Sequence, residues 1–207
     1  MSDSKLILIG YSGHGLVIAD VAKNNKLDVL GYAEKLIKNK NPYNLDYLGD
    51  EKDENFIGWK NKTDFIIGIG DNLIREKVFK LILSNGCKVR TIICKSANIS
   101  ESVTIGQGTF INKNVSINAF AKVGQNVILN TSCVVEHECI ISDSVHIAPG
   151  AVLAGKVTVG ERSFIGANSV IKQGIQIGKD VIVGAGSVII KDIPDGCKVA
   201  GNPSRKL

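Results

Sequence analysis

From Ala97 onward, apolar and polar positions alternate with a period of six. Cut into blocks of six, residues 97–192 place Ile, Val or Leu at the third position of all sixteen blocks, from Ile99 and Ile105 through Val135, Ile147 and Leu153 to Ile189. The first position is small or β-branched, and positions four to six are rich in Gly, Asn, Ser, Asp and Lys. Strand alternation puts positions one and three on one face, and the polar triplet supplies a turn at each sixth residue. The pattern predicts short flat strands, three to a coil, with residues eighteen apart stacked. Ile117, Val135 and Leu153 would then belong to one ladder inside a prism of a little over five coils.

Residues 1–96 follow a different grammar. An aliphatic strand, Lys5 to Ile9, runs into Gly10-Tyr11-Ser12-Gly13-His14-Gly15, and Leu16, Val17, Ala19, Val21 and Ala22 follow at helical spacing. A strand at Phe65 to Ile69 meets Gly70-Asp71-Asn72 and a helix carrying Ile74, Val78, Phe79, Leu81 and Ile82 that should end near Asn85-Gly86. A further strand is expected over Val89 to Ile93, and the polar stretch near 38–55 reads as a surface excursion. Strand, turn, helix, strand is the grammar of a parallel α/β unit. A glycine turn between strand and helix offers backbone N–H groups and the positive helix end to an anion. The spacing G-x-x-G-x-G differs from the dinucleotide fingerprint, and about 60 residues of α/β are too few for a full NAD site. A tight turn with no ligand is the alternative, weakened by the second turn at Gly70 on the same expected sheet edge.

Composition fits this division. The 207 residues are 44% hydrophobic but only 5% aromatic, as a narrow prism interior requires, since rings would overpack it. No run approaches the roughly 20 apolar residues of a membrane-spanning helix. Lys5 is followed only by Leu6 to Ile9 before glycines intervene, so no export leader is expected, and a cytoplasmic location is. Cys87, Cys94, Cys133, Cys139 and Cys197 form an odd set without metal-ligand spacing, as expected of reduced thiols. The net charge of +5 is spread over both halves, unlike the clustered footprint of a nucleic-acid binder. Small anionic ligands remain compatible with it.

Three histidines exist. His137, in Glu136-His137-Glu138, falls at a turn position that points away from the prism. An imidazole beside carboxylates is a competent base near neutrality, and a solvated polar corner is the plain alternative. His146 lies on the outward strand face, where it would either contact a ligand in a groove between neighbouring prisms or pack at a trimer interface. Cys133 and Cys139 should face inward, which argues against a covalent acyl-cysteine. Two histidines in the repeat region fall short of the three that a zinc enzyme of the γ-carbonic anhydrase type assembles, so no metal is expected.

Taken together, Gly10-Tyr11-Ser12-Gly13-His14-Gly15, Asn130-Thr131-Ser132 with Glu136-His137-Glu138-Cys139, and Val199-Ala200-Gly201-Asn202-Pro203 resemble the NeuD/PglD family of sugar acetyltransferases. The resemblance covers essentially the whole chain. Its nearest group is the PglD-type UDP-4-amino-sugar N-acetyltransferases, which complete UDP-N,N′-diacetylbacillosamine. It implies a small Rossmann-like α/β domain with a parallel sheet over 1–96, binding the nucleotide sugar. A left-handed parallel β-helix over 97–192 and a tail over 193–207 near the CoA site would follow. It also implies a homotrimer with sites between adjacent subunits, acetyl-CoA as cosubstrate and no permanently bound cofactor. His137 matches the general base and Glu138 the carboxylate that strengthens it. Asn130 and His14 match positions around the reacting amine. Ser12, Gly13 and His14 match the nucleotide-phosphate turn, and Gly70, Asp71 and Asn72 the second nucleotide contact. His146, Ala167 and Ala185 match contacts to acetyl-CoA, and Arg205 and Lys206 would lie against its phosphates. The family's acidic pair appears here as Glu34-Lys35, which loosens the expectation for the nucleotide. The rival readings are acetylation of a sialic-acid-like hydroxyl, acetylation of a GDP- or dTDP-linked amino sugar, and a non-catalytic nucleotide-sensing trimer.

Overall fold

The computed structural model describes residues 5–61 and 63–207. The chain divides into two compact units, Met1–Ile92 and Ile93–Leu207.

The first unit contains strands β1 (Leu6–Ile9), β2 (Val29–Ala33), β3 (Asp46–Tyr47) and β4 (Asp64–Ile67), with helices α1 (Gly13–Asn24), α2 (Ile57–Lys60) and α3 (Asn72–Ser84). The sheet is parallel, in the order β3-β2-β1-β4. All four residues of β1 are buried, as a strand covered on both faces requires. Helix α1 buries Gly15, Ile18, Ala19, Val21 and Ala22 along one stripe, and α3 buries Val78, Phe79 and Ile82. Gly86, at φ +71°, follows α3 in the left-handed conformation that ends helices. The chain leaves β1 for β2 on one side and adds β4 on the other, so the carboxyl ends of β1 and β4 flank a topological switch point.

Three features of this unit differ from the sequence reading. Strand β2 was not foreseen, because Val-Leu-Gly-Tyr-Ala carries a glycine that breaks the apolar run. The polar stretch near 38–55 is not wholly an excursion: Asp46 and Tyr47 pair with Gly31 and Tyr32, and Glu51 is buried. The strand expected over Val89 to Ile93 is split. Val89 makes a single bridge to Phe65, and the strand proper is Ile92–Ile93 at the unit boundary.

In the second unit, each of the sixteen blocks contributes a two-residue strand at its second and third positions, from Asn98–Ile99 to Val188–Ile189. They stack into three parallel sheets with a register of eighteen, Val135 pairing with Ile117 and Leu153 as the period requires. Third-position aliphatics from Ile111 to Ile189 are buried, each contributing about 1.5–3 kcal/mol. First-position hydroxyls share this interior only by bonding backbone carbonyls: Thr109 to Gly124 at 2.8 Å, Ser163 to Gly178 at 2.7 Å. Every sixth residue from Gly108 to Gly186 has a positive φ, which makes the corners. Most are Gly, Asn, Ser or Asp, the residues that tolerate this region, while Phe120, Glu138, Lys156 and Arg162 do not belong to that group.

The helix continues past the sixteenth block. Ile177 bridges Ile193 and Val183 pairs with Val199, a spacing of sixteen that closes the last coil two residues short. Arg205–Lys206 then returns antiparallel to Val199 and Ala200.

Candidate active site

The carboxyl edge of the α/β sheet opens into a cleft of about 380 Å³. Its lining gathers the turns after all four strands: Gly10 and Ser12, Glu34 and Lys35, Asp50 to Lys52, and Gly70 and Asp71. Five of the expected residues, Ser12, Glu34, Lys35, Gly70 and Asp71, therefore converge. Asp50, Glu51 and Lys52 were missed, because only the pairing of β3 brings that polar segment back to the sheet edge. Burial holds the Glu51 carboxyl above the usual carboxylate range.

The two helix N-termini at this cleft are unequal. Asp71 caps α3, its carboxylate accepting from the Ile74 N–H at 2.9 Å. Ser12, at the N-cap of α1, makes no side-chain capping bond. An anion is thus favoured at α1, where the dipole is not already met by a carboxylate. Gly10 adopts φ +87°, and a Cβ on Gly15 would overlap the Gly10 carbonyl oxygen; around Gly13, by contrast, an added Cβ meets nothing within 4 Å. Two glycines of the motif therefore serve backbone packing, and the third leaves open space.

Gly13, His14 and Asn72 do not line the cleft directly. His14 packs behind it, its Cβ 3.9 Å from where a Gly70 Cβ would stand. Burial and the nearby Arg75 charge lower its pKa to about 4, so the ring is neutral at physiological pH. Asn72 turns to Arg75, accepting from its guanidinium at 2.9 Å. Arg75 is 2% exposed, and it also donates to the Gly70 carbonyl at 3.0 Å, bracing the second turn from inside. Glu34 braces the first: it accepts from the Tyr11 N–H at 2.9 Å and pairs with Lys38 at 3.1 Å.

In the β-helix, the expected residues occupy two successive corners. At one, His137 Nδ1 lies 3.1 Å from Glu138 Oε2, with Lys156 Nζ 3.7 Å from the same oxygen. Both His137 and Glu138 are about half exposed, and Glu138 holds φ +58°. One coil on, Gly155 lies under the imidazole, where an added Cβ would come within 2.5 Å of Cε1. The ring needs the missing side chain at 155 to lie as it does, with Nδ1 engaged by the carboxylate and Nε2 over the glycine.

At the other corner, Asn130 Nδ2 lies 3.3 Å from His146 Nε2. His146 lies on the outward strand face and is 8% exposed. Phe164, stacked one coil later, meets the imidazole edge-on at 5.0 Å. Ala167 and Ala185 continue this corner, in one column with Thr131 and Pro149, as the bonds Gly150 N–H to Thr131, Asn168 N–H to Pro149 and Gly186 N–H to Ala167 show. Ala185 is exposed and Ala167 half-buried. Arg205 and Lys206 are exposed on the closing hairpin.

Cys133 and Cys139 face the interior, as expected. Burial pushes the Cys133 thiol up to about 12 and also raises that of Cys139, whose Sγ donates to the Ala154 carbonyl. Neither offers a thiolate for acyl transfer. Among the described residues, no group of three or more His, Cys, Asp or Glu is placed to hold a metal ion, and no helix is long and apolar enough to cross a membrane.

Known proteins share this fold. The PglD N-terminal domain family matches residues 5–82; the hexapeptide repeat of succinyl-transferase matches 156–191 and the bacterial transferase hexapeptide 138–173. The acetyltransferase domain of PglB from Neisseria gonorrhoeae, solved with acetyl coenzyme A, is 32% identical over 99% of both chains, with a TM-score of 0.91. A histidine-to-asparagine variant of perosamine N-acetyltransferase from Caulobacter crescentus, solved with CoA and GDP-perosamine, is 29% identical over 98% of this chain and 96% of its own, with a TM-score of 0.91. WeeI from Acinetobacter baumannii, at 24% identity over 98% and 99% and a TM-score of 0.86, shares the fold. With a Rossmann-like α/β unit, a left-handed parallel β-helix and this likeness over its whole length, the chain belongs to the PglD/NeuD family of hexapeptide-repeat sugar acetyltransferases.

Proposed function

We propose that the protein transfers the acetyl group of acetyl-CoA directly to the 4-amino group of a UDP-linked aminodideoxy sugar. The observation that carries this reading is the His137–Glu138 pair, with the imidazole laid over Gly155 and its Nδ1 3.1 Å from a carboxylate. Nε2 takes a proton from the amine as nitrogen attacks the thioester carbonyl, and Glu138 favours the imidazolium that forms. The tetrahedral intermediate then collapses with cleavage of its C–S bond, the imidazolium returns the proton to sulfur, and CoA leaves as the free thiol. The nucleotide belongs in the cleft of the α/β unit, with its phosphates at Ser12 and Gly13, and acetyl-CoA lies along the column from Asn130 and His146 to Ala167 and Ala185. That column and the His137 column run along different edges of one prism. A homotrimer in which one subunit's His137 edge faces the next subunit's Asn130 edge would unite them.

A second reading keeps the chemistry and changes the nucleotide to GDP. It is favoured by Lys35 in place of the family's second acidic residue, by Glu34 being tied to Tyr11 and Lys38, and by the GDP sugar bound to the perosamine enzyme.

Incubating the protein with acetyl-CoA and UDP-, GDP- and dTDP-linked 4-amino sugars, while following thiol release, tests both readings. UDP sugars should turn over fastest, and His137→Ala should lower kcat by about 100-fold or more. Unchanged turnover removes His137 from the chemistry. Silence across the panel, with nucleotide binding retained, favours a sensing role.

A further inference from the structure

Phe120, Glu138 and Lys156 hold φ values of +60°, +58° and +61°, which L side chains of their kind seldom adopt. They lie eighteen residues apart and so stack in one column, that of the His137 corner. In the other columns Asn114, Asn126 and Asn168 fill the same turn position at φ +57°, +55° and +54°, so an asparagine would suit the place of Lys156 with less strain. Arg162, the fourth such residue, belongs to another column and is secured there: its Nε donates to Asp180 Oδ1 at 2.7 Å and its Nη2 to Asp180 Oδ2 at 2.9 Å. Lys156 is engaged differently. Its Nζ lies 3.7 Å from Glu138 Oε2, beyond hydrogen-bond length, and its side chain is 57% exposed. An exposed pair of this kind adds little to stability. A strained position that returns so little to the fold points to a function.

Glu138 Oε2 is shared, since it also lies 3.1 Å from His137 Nδ1. A carboxylate beside an imidazole favours the protonated ring, and a ring already protonated cannot act as a base. A cation on the same oxygen opposes that protonation. On its own corner His137 stands between Glu136 and Glu138. The corner of the coil before, Asn118-Ala119-Phe120, carries no charge, and that of the coil after, Ala154-Gly155-Lys156, carries one cation. Lys122 follows on the next strand of the coil before, and Lys172 stands two coils on. We propose that Lys156 is a positioning residue for the proton transfer: by sharing Glu138 Oε2 with His137, it limits the carboxylate's hold on the imidazole proton, so that the ring is free to accept the proton of the amine at lower pH than Glu138 alone would allow. The functional half of the proposal rests on the reading of His137 as the base; the charge balance itself does not.

The test compares the full-length protein with Lys156→Asn, which suits the turn and removes the charge, and with Lys156→Arg, which keeps the charge. With acetyl-CoA saturating and the nucleotide amino sugar that the unaltered protein turns over fastest, kcat/KM of Lys156→Asn should fall about threefold at pH 6 and match the unaltered protein at pH 8.5, the scale of one exposed unit charge. The ionisation of the amine belongs to the substrate and cancels in the ratio of variant to unaltered protein. Lys156→Arg should restore the rate at pH 6. A ratio that is the same at both pH values, as an anion contact would give, overturns the proposal, and so does a loss that arginine does not restore. Lys156→Gln repeats the comparison if the asparagine variant does not fold. An imidazole titration by ¹H–¹³C NMR, with His137 assigned by its loss in His137→Ala, reads the charge balance without substrate. The His137 signal should titrate at higher pH in Lys156→Asn than in the unaltered protein, and coincident curves overturn the proposal. If the curves separate while His137→Ala leaves turnover unchanged, the charge balance stands and the reading of His137 as the base fails separately.

Discussion

In the α/β unit, a methyl group added at Gly15 would run into the carbonyl oxygen of Gly10; in the β-helix, one added at Gly155 would run into the imidazole of His137. The first obstacle is backbone, held between a strand and a helix, and cannot yield without moving both. The second is the end of a side chain, which can swing aside. The same residue type therefore secures the fold in one unit and aims a side chain in the other. The difference reflects how each unit makes a site. The α/β unit builds its cleft from four dissimilar turns, each needing its own backbone geometry. The β-helix repeats one corner, and its candidate site stands where the repeat carries an unexpected side chain, as at Glu138 or His137.

This contrast can be broken in three ways, in falling order of effect. Gly15→Ala should destabilise the α/β unit by about 3 kcal/mol, the upper range for overpacking, whereas Gly13→Ala should leave stability unchanged and weaken nucleotide binding. Equal stability of the two variants in urea would show that the Gly10 contact relaxes freely. The second concerns pH. Because the folded pKa of His14 is depressed to about 4 from 6.5, the unfolded chain binds the proton first as the solution is acidified. Stability from this group is fully present above about pH 6.5 and is lost as pH falls toward 4, by about 2 kcal/mol once its partial exposure is discounted. His14→Gln should flatten that part of the stability profile; an unaltered slope would mean that His14 ionises normally in the fold. The smallest effect is kinetic. Gly155→Ala should keep the melting temperature while lowering kcat about tenfold by displacing the base, about 1.4 kcal/mol of barrier. A stability loss as large as that of Gly15→Ala would erase the distinction.

Much of the second unit was legible in the chain, because a period of six fixes which side chains face inward and a period of eighteen fixes which ones stack. Ile117, Val135 and Leu153 could be paired from the sequence alone, and the inward burial of Cys133 and Cys139 with them. The α/β unit was legible only where its elements were strongly written, at β1, α1, β4 and α3. Strand β2 is interrupted by a glycine, and β3 is two residues in a polar stretch, so neither carried a periodic signal. Asp50, Glu51 and Lys52 were hidden with them. Gly155 could have been found by applying the eighteen-residue stacking rule to His137, a residue already suspected.

The sequence by itself determined the prism, its interior, the family and the candidate histidines, since these follow from local spacing and from short motifs. Only the tertiary structure decided how the candidates are held. That His137 lies over a glycine, that Arg75 braces the Gly70 turn from inside, and that Phe164 meets His146 edge-on are all consequences of how the folded chain places its side chains. Hydrogen-bond direction and side-chain exclusion act through space over a few ångströms, and a chain read in one dimension records them only after its coils have been stacked.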